Sequence, residues 1–271
     1  NFMANKIKTV SVLGLGYIGL PTACMIAKNG LKVRGYDISL EVVSKINECI
    51  SPITEEGLDK LLRDVVKSKA FVANTQVEKS DVYIIAVPTP VMADANTADL
   101  SYVEAALKSI AEVALPGNLI VIESTCPVGA TEQLAEFFFK HYQRANNQRK
   151  IGDNEILFAY CPERVIPGNT LYELQNNDRV IGGLTTAGGE KAAELYNHFV
   201  TGRCVLVSDA RTAECVKLSE NTYRDINIAF ANELADVCEQ LSINSTEVID
   251  NCNLHPRVNI LRPGPGVGGH C

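Results

Sequence analysis

Near the amino terminus, Gly14-Leu15-Gly16-Tyr17-Ile18-Gly19 sets three glycines in the spacing G-x-G-x-x-G, and an acid, Asp37, stands 18 residues after the last of them. Glycines so spaced allow a tight turn and a close approach of backbone to a diphosphate, whose charge is stabilised at the N-terminus of a following helix. A carboxylate at Asp37 can accept hydrogen bonds from both hydroxyls of a ribose and would repel a 2′-phosphate, which favours NAD over NADP. A glycine turn in an unrelated α/β protein is the plainer alternative.

Four further groups of residues could do chemistry. Val87-Pro88-Thr89-Pro90 and Glu123-Ser124-Thr125-Cys126-Pro127 each follow an apolar run, so their hydroxyls could bond a cofactor or substrate; each could equally be a turn that ends a strand. In Tyr160-Cys161-Pro162-Glu163-Arg164, Glu163 could act as a base on water, against the alternative of a surface Glu–Arg pair. Lys217 and Asn221 stand at i and i+4, one above the other if the segment is helical. An ammonium and an amide so placed can stabilise a developing alkoxide; a solvated lysine is the ordinary alternative. The chain ends Gly264-Pro265-Gly266-Val267-Gly268-Gly269-His270-Cys271. A cysteine on such a loop is placed to be exposed, and a nearby cation would favour its thiolate. His270 is expected to shape the pocket rather than pair with Cys271, because adjacent side chains point apart.

These residues need elements to hold them. Apolar runs at Lys8–Leu13, Lys32–Tyr36, Phe71–Ala73, Asp81–Val87, Leu119–Glu123, Phe158–Tyr160, Arg179–Gly182 and Val205–Val207 read as strands. Helical stretches at Leu20–Asn29, Ser39–Cys49, Glu55–Lys67, Tyr102–Ala114 and Thr131–His141 separate the earlier ones. This alternation predicts a Rossmann-type, doubly wound parallel α/β sheet, with the glycine loop and the strand-ending hydroxyls at the carboxyl ends of its strands. From Ser208 to Leu241 there is no Gly or Pro, and Val216, Tyr223, Ile226, Phe230, Leu234, Val237 and Leu241 recur at spacings of three, four and seven. One amphipathic helix of about 50 Å is expected, a spine or dimer surface, followed by a shorter helix over Thr246–Asn253. The domain boundary therefore falls near Val207: 1–207 as the nucleotide-binding domain, 208–271 as a central helical one.

Composition excludes several classes. The 271 residues are 46% hydrophobic and 21% charged, with a formal charge of −7, which argues against nucleic acid or an anionic membrane as partner. The longest apolar run, Val82 to Val87, is far below the ~20 residues of a membrane span. The first ten residues lack the apolar core of a signal peptide. Nine cysteines, none in a C-x-x-C pair, give no zinc or thioredoxin pattern and no other metal site; free thiols in a reducing cytoplasm fit best, with all but Cys271 serving as packing.

With these residues assembled, the chain resembles the UDP-glucose/GDP-mannose dehydrogenase family. The resemblance is carried by GLGYIGLP (14–21), VPTP (87–90), ESTCPVG (123–129), YCPERVIPG (160–168), NDRVIGG (177–183), KLSENTYRDINIAFANE (217–233) and HPRVNILRPGPGVGGHC (255–271). It implies NAD as cofactor, a UDP-sugar as substrate, and a four-electron oxidation of a C6 alcohol to a carboxylate with two NAD. Cys271 would be the nucleophile that captures the aldehyde as a thiohemiacetal and then carries a thioester. Lys217 and Asn221 would stabilise the C6 oxygen, Glu163 and Thr125 would hold or activate water, and Arg164 would join Glu163, Lys217 and Asn221 in binding substrate; Arg257 would reach sugar or phosphate, in relatives from the neighbouring subunit, and Arg262 would lie near the nucleotide. Gly14, Gly16, Tyr17, Ile18, Gly19, Asp37, Val87, Pro88, Thr89, Ser124 and Thr125 would line the cofactor. His270 stands where UDP-glucose enzymes have serine, which moves the expectation toward an N-acetylated sugar: UDP-N-acetyl-D-mannosamine first, UDP-N-acetylglucosamine next, UDP-glucose third. The family's aspartate just past the nucleophile and its C-terminal nucleotide domain have no counterpart in the 271 residues. A truncated chain or proteolytic fragment is expected, binding NAD, dimerising through the long helix and turning over weakly. The rival readings are a two-electron hydroxyacid dehydrogenase of the 6-phosphogluconate type and a non-catalytic NAD-binding redox sensor.

Overall fold

Residues 6–92, 97–146, 155–166 and 168–265 are described by a computed structural model, in which the chain forms two units, residues 1–215 and 216–271. The first unit begins with β1 (Thr9–Leu13), α1 (Gly19–Lys28), β2 (Lys32–Tyr36), α2 (Leu40–Asn47), α3 (Leu58–Lys67), β3 (Phe71–Asn74) and β4 (Val82–Ile85). A short antiparallel hairpin, β5 (Val91–Met92) and β6 (Thr97–Ala98), precedes α4 (Ser101–Val113), β7 (Leu119–Ile122), α5 (Ala130–Ala145) and β8 (Leu157–Tyr160). Then come α6 (Thr170–Asn176), β9 (Arg179–Gly183), α7 (Thr186–Tyr196), β10 (Cys204–Leu206) and the start of α8 (Ala210–Gln240).

Eight strands form one sheet in the order β10-β9-β8-β7-β4-β1-β2-β3. From β3 to β8 every pairing is parallel. All four residues of β4 and of β7 are buried, as strands covered by helices on both faces must be. Alternate residues feed opposite cores: Val82 and Ile84 pack with α1 and α3, while Tyr83 and Ile85 pack with α4 and α5. The strand order reverses between β1 and β4, and ligands of such sheets lie beyond the carboxyl ends at that reversal.

Two features depart from the sequence-based reading. First, β9 runs antiparallel to β8, and β10 follows β9, so the sheet is mixed rather than wholly parallel. The β9 strand meets β8 only through Gly182 and Gly183; Arg179–Ile181 run past the carboxyl end of β8 and pair with β10. Second, α6 and α7 occupy stretches read without helices. Gly188 and Gly189 make Thr186–Tyr196 look broken, yet here glycine serves close packing: a Cβ on Gly188 would stand 2.5 Å from the Phe158 carbonyl oxygen. The helix is capped by Thr185, whose hydroxyl accepts from the Gly188 N–H at 3.2 Å.

Two buried carboxylates cap helices far from themselves in sequence. Glu55 accepts from Gly168 N, Thr170 N and Thr170 Oγ1 at 2.8–3.0 Å, at the start of α6. Glu214 accepts from Gly129 N, Thr131 N and Thr131 Oγ1 at 2.5–2.8 Å, at the start of α5. Neither Asn169 nor Gly129, the residues preceding these helices, makes a side-chain cap of its own, so the distant acids satisfy the open N–H groups and complement the dipole.

The second unit holds the rest of α8 and α9 (Ser245–Cys252). Asn244 caps α9 by accepting from Thr246 N and Glu247 N. Two asparagines then guide the returning chain. Asn253 donates to Ile260 O and accepts from Ile260 N; Asn232, on α8, donates to Gly264 O at 2.9 Å and accepts from Gly264 N at 2.8 Å.

Candidate active site

The turn after β1 is built by its glycines. Gly14 adopts φ +91°, and its N–H donates to Tyr36 O at 2.9 Å. A Cβ there would stand 2.7 Å from Ala86 O, and one on Gly19 would overlap the Gly14 carbonyl oxygen. Gly16, by contrast, is exposed, and its Cβ position faces open space. The first and third glycines thus let turn and helix close on each other, and the second leaves backbone open to a ligand. α1 starts without a side-chain cap, so its N-terminal partial charge is available to an anion. Tyr17 is exposed at the rim and Ile18 half-buried. Asp37, at the end of β2, is tied to this turn: Oδ2 accepts from Leu15 N at 3.0 Å and Oδ1 from Ser39 N at 2.9 Å. Each oxygen keeps further accepting capacity. These residues fit the diphosphate and ribose of a dinucleotide.

Beyond β4 and β7, the two hydroxyl-bearing segments are fastened to each other. Ser124 Oγ donates to Val87 O and Thr89 Oγ1 donates to Thr125 O, both at 2.7 Å. The structure therefore brings Val87, Pro88, Thr89, Ser124 and Thr125 together, and half-buried Thr125 keeps its own hydroxyl for other work.

Past β7 and β8 lies a buried charged cluster whose full membership sequence reasoning missed. Glu163 Oε1 accepts from Arg164 N at 2.6 Å. Glu163 Oε2 lies 3.3 Å from Arg179 Nη1, and the same nitrogen lies 3.6 Å from Glu123 Oε1. Tyr196 donates its hydroxyl to Glu123 Oε1 at 2.6 Å, and the Arg179 guanidinium carbon sits 4.8 Å from the Tyr196 ring and 5.8 Å from that of Phe199. Side-chain exposure is 0% for Glu123, 5% for Arg179 and 10% for Glu163, so Glu163 is the member open to a ligand. Burial pushes the Glu123 carboxyl up to about 7, with Arg179 pulling it down and Glu163 raising it further. Arg179 reaches the acids because β9 is reversed. Its first residue lies at the carboxyl edge, whereas a parallel strand would begin at the opposite edge. Arg164 turns its Nη1 to the Asp178 carbonyl at 3.1 Å.

The fully buried thiols of the first unit are poor nucleophiles. Burial raises Cys24, Cys126 and Cys161 to about 12 each. Cys215 is exposed on α8, unlike the packing role expected of it. Cys271 and His270, with the loop from Gly266, lie outside the described residues.

In the second unit, Lys217 and Asn221 are half-buried and one turn apart on α8. Arg257 and Arg262 are exposed, and Arg262 pairs with Asp250 at 2.5 Å. Among the described residues no three His, Cys, Asp or Glu side chains converge on a metal position, and no helix is long and apolar enough to cross a membrane.

A glycine turn, an acid at the end of β2 and a sheet that reverses at β1 and β4 define a nicotinamide-dinucleotide-binding domain of the Rossmann type. Residues 8–200 match the NAD binding domain of the UDP-glucose/GDP-mannose dehydrogenase family, and residues 211–271 match that family's central domain. The chain belongs to this family. It is 50% identical over 97% of its length to an NDP-N-acetyl-D-galactosaminuronic acid dehydrogenase from Ralstonia solanacearum, of which it covers 62%. To a UDP-N-acetyl-D-mannosamine dehydrogenase from Campylobacter jejuni it is 49% identical over 98% of its length, covering 66%. The solved structure of a UDP-D-ManNAc dehydrogenase from Pyrococcus horikoshii superposes with a TM-score of 0.91 at 44% identity, over 97% of this chain and 62% of that one. The chain thus spans about three-fifths of the length of such relatives.

Proposed function

We propose that the protein carrying this chain is an NAD-dependent nucleotide-sugar dehydrogenase that oxidises the C6 alcohol of a UDP-N-acetylhexosamine to the uronic acid. The observation that carries the reading is that one chain holds both an intact dinucleotide turn and half-buried Lys217 and Asn221 one turn apart on a helix, and is near 50% identical to dehydrogenases of N-acetylated nucleotide sugars. Those relatives divide between mannosamine and galactosaminuronic acid names, so UDP-N-acetyl-D-mannosamine leads and the galacto epimer joins the sugars to be tested. The product's chemistry supports a role in surface polysaccharide synthesis, and eight described cysteines, none in a disulfide, support placing it in the cytoplasm.

NAD, when bound, accepts the two electrons lost at C6 in each oxidation. Gly16 and the start of α1 would take its diphosphate, and Asp37 its ribose. Lys217 and Asn221 would stabilise the C6 oxygen as its proton leaves. Cys271 would hold the aldehyde covalently, so that it is not lost between the two oxidations. Glu163 and Thr125 would orient the water that opens the resulting thioester to the carboxylate. Tyr223, Ile226 and Phe230, exposed on α8, support a homodimer through that helix.

Stoichiometry tests the reading. The full-length protein should release two NADH per UDP-N-acetylhexosamine, and Cys271→Ser should abolish this. One NADH per sugar from an active Cys271→Ser protein would instead establish the two-electron rival. Incubation with NAD and the sugar should leave a mass increment at Cys271, which a pure redox sensor would not show. The 271-residue chain alone should bind NAD and turn over weakly; full activity from it would refute that expectation.

A further inference from the structure

The cluster around Arg179 poses a physical problem. Three ionisable side chains with a formal net charge of −1 are almost wholly out of water, and Arg179 Nη1 and Nη2 meet no acceptor in hydrogen-bonding geometry among the described residues. Ion pairs at 3.3 and 3.6 Å in such a place recover little of their desolvation cost, and apolar side chains of the same volume would serve the fold as well. Stability does not explain the arrangement, but the orientation of Glu163 does. Its Oε1 is fixed by the Arg164 N–H, and Oε2 faces the guanidinium. Tyr196 and Phe199 brace Arg179 by their ring faces, and Glu123, itself held by the Tyr196 hydroxyl, anchors its other side. Both oxygens of Glu163 are thus committed while the side chain keeps one open flank.

We propose that Arg179 is a positioning residue for Glu163: wedged between two carboxylates and seated on two aromatic rings, it holds the Glu163 carboxylate in the orientation from which it serves water and substrate. This rests on the reading of Glu163 as the water-orienting acid. Arg179 touches neither substrate nor cofactor in this account and acts only through Glu163.

The test is a double-mutant cycle in the full-length protein, reading kcat and KM for both substrates. Glu163→Gln alone should lower kcat about 100-fold. Arg179→Met paired with Glu123→Gln keeps the parent's formal charge of −1 but leaves Glu163 without its cation, so its thermal midpoint should lie below that of Glu123→Gln, and its circular dichroism should match the parent's at the assay temperature. It should nonetheless fall at least about tenfold in kcat below Glu123→Gln, with KM for NAD unchanged. In the Glu163→Gln background the Arg179→Met change should then cost nothing further: the triple variant should match Glu123→Gln with Glu163→Gln in kcat. If the pair does not fold, Arg179→Lys keeps the charge; one ammonium cannot face both acids, so kcat should still drop, and the drop should vanish in the Glu163→Gln background. Unchanged kcat in a folded Arg179 variant, or losses that multiply with Glu163→Gln, overturn the proposal while leaving the role of Glu163 standing. Unchanged kcat in Glu163→Gln removes that role and the proposal together.

Discussion

At the scale of single residues, the chemistry turns on where charge is allowed to go. Glu123 is fully buried and binds its proton up to about pH 7, while the unfolded chain releases it near 4.5. Between those values the folded state holds the extra proton, so stability falls as pH rises through the window. The loss should be on the order of 3 kcal/mol and complete above the folded value. Urea midpoints measured from about pH 4 to about pH 8 should show this decline in the parent protein and not in Glu123→Gln; parallel curves for the two would remove the assignment. Glu163 could be picked out in the sequence because it follows an apolar strand. Arg179 could not: a parallel sheet puts it at the wrong edge, and nothing in NDRVIGG announces a reversed strand. The Glu55 and Glu214 caps were hidden for a similar reason, since each acid lies 83 or more residues from the threonine hydroxyl it accepts from.

At the scale of elements, the local signals that were legible are those in which a residue type is forced by its own backbone. The turn at Gly14–Gly19 is the clearest case, because Gly14 takes a positive φ and a Cβ on Gly19 would overlap the Gly14 carbonyl oxygen five residues back. Gly19→Ala should therefore displace the start of α1 from the turn and weaken NADH binding by at least about tenfold, read by NADH fluorescence titration. Gly16→Ala, whose Cβ meets no protein atom, should fold normally and lose affinity only through contact with the ligand. If both variants bind like the parent, the turn is not the diphosphate site. The same residue type hides α7, whose Gly188 and Gly189 lower its local helix propensity but let it lie against β8 and β9. Asn232 belongs to neither class. A polar residue on a long helix looks solvated in sequence, and its role in holding Gly264 appears only once the chain has turned back on itself.

At the scale of the whole molecule, α8 carries more exposed apolar surface than a solitary helix explains. Tyr223, Ile226, Phe230 and Val237 stand at successive spacings of three, four and seven, all exposed. If this stripe is the homodimer interface, Ile226→Asp with Phe230→Asp should shift the protein from dimer to monomer in sedimentation velocity and leave its circular dichroism unchanged. A dimer that survives both charges places the interface elsewhere. The long helix was legible because 34 residues without Gly or Pro leave the backbone no other regular course. The strands β9 and β10 were legible as strands but not in their direction: reversed, they pair with the remaining strands through two residues, Gly182 and Gly183. So thin a seam should part before the rest of the sheet does. Amide protons of Val180 and Ile181 should therefore exchange with deuterium at least about tenfold faster than those of Val10 and Val12, through openings too small to unfold the protein.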